Sequence, residues 1–182
     1  MKRTLVRILI GLAVVIVVFV IIVATRPSEY SVTRSLAIAA PPEAIFPHVN
    51  EPRKWEAWNP WGKLDPNMKL TYDGPAAGVG ASYSWVGNND VGEGKMTVTE
   101  SHPNDRIQFK LEFFKPMAGV CDTVFTFKPQ GQQTDVTWSM SGKNNFIAKA
   151  LCMFMSMDKM IGGQFEKGLA SMKTVVEGAP KS

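Results

Sequence analysis

The chain has 182 residues and a formal net charge of +4, which at first suggests a basic protein that binds nucleic acid. The excess is confined to residues 1–26, which hold four Lys or Arg and no Asp or Glu, whereas residues 27–182 hold sixteen of each sign. A nucleic-acid-binding domain shows a basic excess or stripe, so this neutral balance argues against nucleic acid as a partner.

The first predicted element is a helix that crosses a membrane. From Ile8 to Ala24, seventeen consecutive residues are apolar or Gly. At a rise of about 1.5 Å per residue, residues 5–24 cover the roughly 30 Å hydrocarbon core of a bilayer. A cleaved secretory signal is the alternative, but its apolar region is usually only about 7–15 residues long, and Ile22 stands where a small residue is expected. The sequence therefore predicts an uncleaved anchor over residues 1–26.

Flanking charges predict the orientation of this anchor. Lys2, Arg3 and Arg7 precede the apolar stretch, whereas Arg26 is the one basic residue close behind it. Positive residues near a span stay on the cytoplasmic side. We therefore expect the N-terminus in the cytoplasm and the C-terminal domain outside it.

Residues 27–30 form a short linker to the first predicted strand, residues 30–39. Two prolines and an acid at positions 41–43 then predict the start of a helix. Proline lacks only an N–H that is unpaired at a helix start, and negative charge suits the helix dipole there. This helix is expected to stop before Pro52.

The densest aromatic cluster of the chain follows, with Trp55, Trp58 and Trp61 in a W-x-x-W-x-P-W run. Three interpretations remain open for these tryptophans. They pack a short helix, they sit at a membrane interface, or they form the mouth of a cavity.

Six strands separated by turn residues are predicted next, and their short connections favour an antiparallel meander. They cover about residues 68–73, 80–86, 91–100, 106–114, 119–129 and 133–142. Large apolar residues alternate with polar ones along each strand, so the sheet has one apolar and one solvated face. The inward set includes Phe109, Leu111 and Phe113 on one strand and Cys121, Thr123, Phe125 and Phe127 on the next.

A single long helix from Asn144 to about Glu177 is predicted to cover the apolar face of the sheet, with residues 178–182 as a tail. Its apolar residues follow the helical period. Gly162, Gly163 and Gly168 interrupt it and are expected to mark a bend.

This order of elements resembles the START-like superfamily, also described as SRPBCC, helix-grip or Bet v 1-like. Within it, the chain resembles the bacterial polyketide cyclase/dehydrase-like group. The residues that carry the resemblance are Ile38 to Phe46, the tryptophan run, Gly78 to Ala81 and Trp138 to Gly142. The resemblance covers roughly residues 30–177, which is nearly all of the domain predicted at residues 31–177. It implies an α+β fold in which a curved antiparallel sheet of about seven strands wraps around a long C-terminal helix.

The resemblance also implies a cavity between the sheet and that helix for an apolar small molecule or lipid. The candidate lining residues are Tyr83, Trp85, Met96, Val98, Phe109, Leu111, Phe125, Phe127, Trp138, Met140, Met153, Met157 and Met160, and the candidate mouth is formed by Trp55, Trp58 and Trp61. Plain core packing is the alternative for each of these residues, because inward apolar side chains are what any core contains.

Catalysis has weaker support in the sequence. His48 and His102 are the two histidines, and neither has a Cys, Asp or Glu at metal-ligand spacing, so we expect no metal and no cofactor. A cyclase or dehydratase activity would depend on polar groups such as Tyr83, Asp122 or His48. Three functions therefore remain: a membrane-tethered binder of an apolar ligand, such an enzyme, and a module with a filled core that receives a protein partner.

Overall fold

The computed structural model describes residues 2–154 and 156–178, except for the side chain of Lys2. The helices in these ranges are α1 (Lys2–Thr25), α2 (Pro42–Asn50), α3 (Phe146–Cys152) and α4 (Met157–Glu177), with short 3-10 helices at Pro52–Ala57 and Trp61–Lys63. The strands are β1 (Glu29–Ile38), β2 (Lys69–Asp73), β3 (Ser82–Val86), β4 (Glu93–His102), β5 (Arg106–Lys115), β6 (Gly119–Gln130) and β7 (Gln133–Lys143). Of the predicted tail at residues 178–182, Gly178 alone lies within the described residues.

The chain divides into two compact units. The first comprises Met1–Tyr30 and Lys143–Ser156, and the second comprises Ser31–Gly142 and Met157–Ser182.

The first unit contains α1 and α3. Residues Arg3–Thr25 of α1 are long and apolar enough to cross a membrane, with a mean hydropathy of 3.4 in the most apolar window. Among the described side chains of α1, Val23 alone is buried. The side chain of Asn145 caps α3 by accepting a hydrogen bond from the backbone N–H of Ala148 at 2.8 Å. None of the α3 side chains is buried.

The seven strands form one sheet in the order β1-β7-β6-β5-β4-β3-β2. Each strand from β2 to β6 pairs antiparallel with the next strand in sequence, which is the predicted meander. The strands lie within a few residues of their predicted positions. The helix α2 begins at Pro42 with Pro41 as its N-cap and ends before Pro52, as the proline pattern predicts.

Alternation places one set of side chains on the buried face of the sheet. Along β6 and β7, the buried residues are Cys121, Thr123, Phe125, Phe127, Thr134, Val136, Trp138 and Met140. The helix α4 packs on this face and buries Phe165, Leu169, Met172 and Val176. The predicted α+β helix-grip fold, with a seven-stranded antiparallel sheet and a long C-terminal helix, is confirmed.

The prediction of one long helix from Asn144 to about Glu177 is wrong in its first third. Helix α3 ends at Cys152, and α4 begins only at Met157. Arg34 fixes the first turn of α4, because its guanidinium donates hydrogen bonds to both the carboxylate and the backbone carbonyl of Asp158. Periodicity cannot reveal a contact that joins residues so distant in sequence. The bend expected at Gly162, Gly163 and Gly168 does not interrupt α4, which stays helical through all three.

Candidate functional site

An apolar cavity of about 320 Å³ lies within the second unit, between the inner face of the sheet, the tryptophan loop (residues 55–61) and α4. This volume is within the range of small-molecule sites, which is about 300–1,000 Å³. The wall comprises Trp55, Asn59, Trp61, Met68, Tyr83, Trp85, Asn89, Asp90, Val91, Gly92, Met96, Leu111, Phe113, Lys115, Pro116, Thr123, Trp138, Met140, Met160, Ile161 and Phe165.

Many of the side chains predicted to meet a ligand lie on this wall. They are Tyr83, Trp85, Met96, Leu111, Trp138, Met140 and Met160 from the predicted lining, and Trp55 and Trp61 from the predicted mouth. Others lie elsewhere. Val98, Phe109, Phe125 and Phe127 are buried in the core and are not on the wall, and Trp58 is completely buried. Met153 follows α3 in the first unit, and Met157 begins α4 away from the wall.

The tryptophan loop is held by hydrogen bonds to the end of α2. The indole of Trp55 donates to the carbonyl of Val49 at 2.8 Å, and the indole of Trp58 donates to the carbonyl of His48 at 2.9 Å. The two rings lie 4.4 Å apart and are both buried. Packing is therefore the role that the structure gives Trp58, whereas Trp55 both packs and borders the cavity.

Trp138 is the centre of the aromatic packing around the cavity. Its ring stacks on Phe165 of α4 with centroids 4.0 Å apart and planes 10° apart, and on Phe125 of β6 at 4.8 Å. Gly168 makes this approach of α4 possible, since a Cβ there would lie 2.8 Å from the Trp138 ring and 3.1 Å from Pro60. The position of α4, and with it one wall of the cavity, depends on this stack.

Exposed residues on the wall mark where the cavity opens. The exposed wall residues are Asn89 and Asp90 in the β3–β4 loop, Lys115 and Pro116 at the end of β5, and Met160 of α4. Most of the other wall residues are buried or half-buried. The mouth therefore lies between these three segments.

Glycines hold the β3–β4 loop at the mouth. Gly92 has a φ of +66°, and a Cβ at this position would collide with the carbonyl of Lys115. Gly94 leaves room for the ring of Trp85, whose indole donates to the carbonyl of Val91 at 3.1 Å. Any larger residue at either glycine would displace a wall segment.

The titratable groups of the wall are Tyr83, Asp90 and Lys115. Burial raises the pKa of the Tyr83 phenol above its ordinary value, and the nearby Tyr72 adds to the shift. This phenol is therefore protonated at neutral pH, where it can donate a hydrogen bond but cannot act as a base. Asp90 and Lys115 lie at the exposed mouth.

The other groups considered for catalysis are not on the wall. His48 lies in α2, where burial and then the charge of Lys54 lower its pKa. Asp122 lies exposed on the outer face of β6, and His102 is exposed at the end of β4. In residues 2–154 and 156–178, no group of three or more His, Cys, Asp or Glu side chains is arranged to hold a metal ion.

Several wall residues were not among the lining residues predicted from the sequence. Phe113 and Thr123 have the inward parity of their strands, and Ile161 and Phe165 fall in the C-terminal helix, so a sequence signal exists for these four. The loop residues 89–92 carry no such signal, because the path of a loop is set by tertiary contacts.

Comparisons with known proteins agree with this architecture. The model of a family described as "Polyketide cyclase / dehydrase and lipid transport" matches residues 29–177. No curated protein sequence matches the chain significantly.

Solved structures with the same fold have low sequence identity. Protein CV1439 from Chromobacterium violaceum is 17% identical with a TM-score of 0.57, and the match covers 81% of this chain and 96% of that one. Protein MLL2253 from Mesorhizobium loti is 15% identical with a TM-score of 0.61, covering 84% and 100%. Ara h 8.0201 is 9% identical with a TM-score of 0.56, covering 83% and 99%. At these identities the likeness is one of fold.

Proposed function

Because the chain belongs to the polyketide cyclase/dehydrase and lipid transport family, we propose that it is a membrane-anchored binding domain for an apolar small molecule or a lipid. The observation that carries this proposal is the cavity of about 320 Å³ with its largely apolar wall. Removing apolar surface of a ligand from water contributes roughly 25 cal/mol per Å², so such a wall supplies affinity without any charged contact.

The composition of the wall supports an adaptable site. Met96 and Met140 on the sheet and Met160 on α4 face the cavity, and methionine fits irregular shapes because it is unbranched and polarizable. Aromatic rings such as Trp138 supply a rigid floor. A rigid floor with flexible sides suits a ligand of irregular outline.

The exposed apolar surfaces of α1 and α3 in the first unit support the proposal that the chain is attached to a membrane. The described surface of α1 is almost wholly exposed and apolar. In the same unit, α3 and the following turn also expose large apolar side chains, with Ile147 63% and Phe154 79% exposed. Short amphipathic helices with such faces lie in the headgroup region of a bilayer. We therefore assign α3 to the membrane interface beside the span.

The orientation follows from the flanking basic residues. Lys2, Arg3 and Arg7 precede the span and Arg26 follows it, which favours a cytoplasmic N-terminus and a binding domain on the opposite side of the membrane. The anchor then keeps the cavity close to lipids and other membrane-dissolved molecules.

The alternative functions have less support. A cyclase or dehydratase needs an acid or base beside its substrate, and among the described wall residues only Tyr83, Asp90 and Lys115 titrate, two of them at the exposed mouth. A module for a protein partner was expected to have a filled core, whereas the second unit contains a cavity.

Native mass spectrometry of the full chain tests the proposal. The protein is extracted from membranes in detergent, and its mass is measured after release from the micelle. We expect one small molecule bound per chain. Met140→Trp should abolish this adduct, because Met140 lies on the wall and an indole there occupies the cavity.

Met117→Trp is the matched control, since Met117 is 42% exposed and is not on the wall. This variant should retain the adduct. An adduct of equal occupancy on Met140→Trp would contradict binding in the cavity. An absence of any adduct, together with no binding of apolar probes, would favour the protein-partner function instead.

A further inference from the structure

Two polar groups on the cavity wall are buried without a hydrogen-bond partner among the described residues. They are the hydroxyl of Thr123 and the indole N–H of Trp138, and both side chains are only 2% exposed. The indoles of Trp55, Trp58 and Trp85, in contrast, each donate to a backbone carbonyl. A buried donor left unpaired destabilises the fold, so the unpaired indole of Trp138 needs a physical explanation.

The two groups are neighbours on the same face of the sheet. Thr123 on β6 is directly opposite Met140 on β7, and Phe125 is directly opposite Trp138, so Thr123 and Trp138 are diagonal neighbours. Diagonal neighbours on one face are about 7–8 Å apart between their Cα atoms, within reach of a shared ligand atom. The Trp138 ring is fixed by its stacking on Phe165. Its N–H direction is therefore set before any ligand arrives.

The chemistry of this pair selects an oxygen acceptor. An indole N–H only donates, and a threonine hydroxyl can donate as well, so together they complement a carbonyl oxygen with its two lone pairs. A carboxylate would be disfavoured at this depth, because a buried charge needs a paired opposite charge. The one cationic side chain among the described wall residues is Lys115, which lies at the exposed mouth.

We propose that the ligand is an uncharged, mainly apolar molecule that carries a carbonyl group, and that Trp138 and Thr123 bind its oxygen by hydrogen bonds. This inference rests on the proposed function, since it assigns a polar contact within the same cavity. It narrows the ligand class from any apolar molecule to ketones, esters and similar neutral carbonyl compounds.

A matched pair of probes tests the inference. 2-Acetylnaphthalene carries a ketone, and 2-isopropenylnaphthalene has nearly the same shape with a methylene group in place of the oxygen. Binding to the full chain in lipid nanodiscs is measured by ultrafiltration as the excess over protein-free nanodiscs. One net hydrogen bond is worth roughly a fivefold change in affinity, so two should give the ketone a preference of at least about tenfold.

Substitutions at Thr123 measure how much its hydroxyl contributes to the preference for the ketone. Thr123→Val replaces the hydroxyl with a methyl group of similar size and should reduce the preference about fivefold, whereas Thr123→Ser should keep it. Thr134→Val is the matched control. The Thr134 hydroxyl donates to the carbonyl of Ala40 at 2.7 Å and is not on the wall, so its loss should lower stability and leave the preference unchanged.

The indole N–H of Trp138 provides an independent signal. In nuclear magnetic resonance spectra of the full chain, the ketone should move the Trp138 indole proton to lower field, and the hydrocarbon should not. Equal affinities for the two probes in the unmodified protein, or an undiminished preference in Thr123→Val, would overturn the inference while leaving apolar binding intact. Failure of both probes to bind would overturn the proposed function and this inference together.

Discussion

Alanine substitutions at two glycines of α4 test the contact between this helix and the cavity wall. Gly163 and Gly168 both lie in the helix interior, but only Gly168 is in close contact with the sheet side. No atom lies within 4 Å of a Cβ built at Gly163, whereas a Cβ at Gly168 lies 2.8 Å from the Trp138 ring and 3.1 Å from Pro60. The same substitution to alanine therefore has opposite expected effects at the two positions.

The magnitudes follow from two known terms. Alanine is more favourable than glycine in a helix interior by about 0.8–1.0 kcal/mol, so Gly163→Ala should raise the free energy of unfolding by about that amount. Gly168→Ala gains the same term but forces apart packed groups, which typically costs about 1–3 kcal/mol. Trp138 has little room to move because Phe165 stacks on it at 4.0 Å. We expect Gly168→Ala to be less stable than Gly163→Ala by about 1–3 kcal/mol.

Urea unfolding of the full chain in lipid vesicles measures this difference. Tryptophan emission is a suitable signal, since all five tryptophans lie between positions 55 and 138, in the second unit. With a slope of roughly 2 kcal/mol per M, 1 kcal/mol corresponds to a midpoint shift of about 0.5 M. If Gly168→Ala is as stable as Gly163→Ala, α4 does not pack on Trp138 as described, and the shape of the cavity wall must be reconsidered.

Two further predictions concern the start of α4 and the membrane contact. The guanidinium of Arg34 lowers the pKa of Asp158, so this pair stabilises the fold fully above about pH 4 and loses its effect as the pH falls through the lowered pKa. The urea midpoint should therefore fall more between about pH 5 and pH 2.5 in the unmodified protein than in Asp158→Asn, and equal falls would contradict a role for the pair. A photoreactive phenylalanine analogue should form lipid adducts at position 154 but not at position 114. Phe154 and Phe114 are both exposed, so equal labelling would exclude a specific membrane contact of the first unit.

The sequence predicted which side chains face inward better than which of them border the cavity. Alternation places Phe109 and Phe125 on the same face as Leu111 and Trp138, because the side-chain period of a strand is two. Leu111 and Trp138 border the cavity, whereas Phe109 and Phe125 are buried in the core and do not border it. That difference depends on where α4 crosses the sheet, which in turn depends on contacts such as the Arg34 ion pair.

The start of α4 shows the same limit. The apolar period continues from α3 into α4, and the break between them contains no described Pro or Gly to indicate it. The two helices differ in how their side chains are buried. Every side chain of α3 is at least partly exposed, whereas α4 buries a stripe against the sheet. A hydrophobic pattern alone does not distinguish a face that meets a core from one that meets a membrane.

The location of the unsatisfied groups supports a function for the cavity. An unpaired buried donor lowers the free energy of unfolding by about 1–3 kcal/mol, and an unfilled cavity lowers it further. A chain under selection for stability alone would therefore fill this site. Valine at position 123 would remove one unpaired group at little steric cost. Two of the three unpaired buried side-chain atoms in the described residues lie on this wall, and the third is Nδ1 of His48 in α2. Departures from optimal packing that are concentrated at one place are typical of functional sites. A ligand stabilises the state that it binds. A carbonyl compound that pairs with Thr123 and Trp138 would therefore offset the cost of leaving these two groups unpaired. A pure hydrocarbon would fill the cavity and leave both groups unpaired.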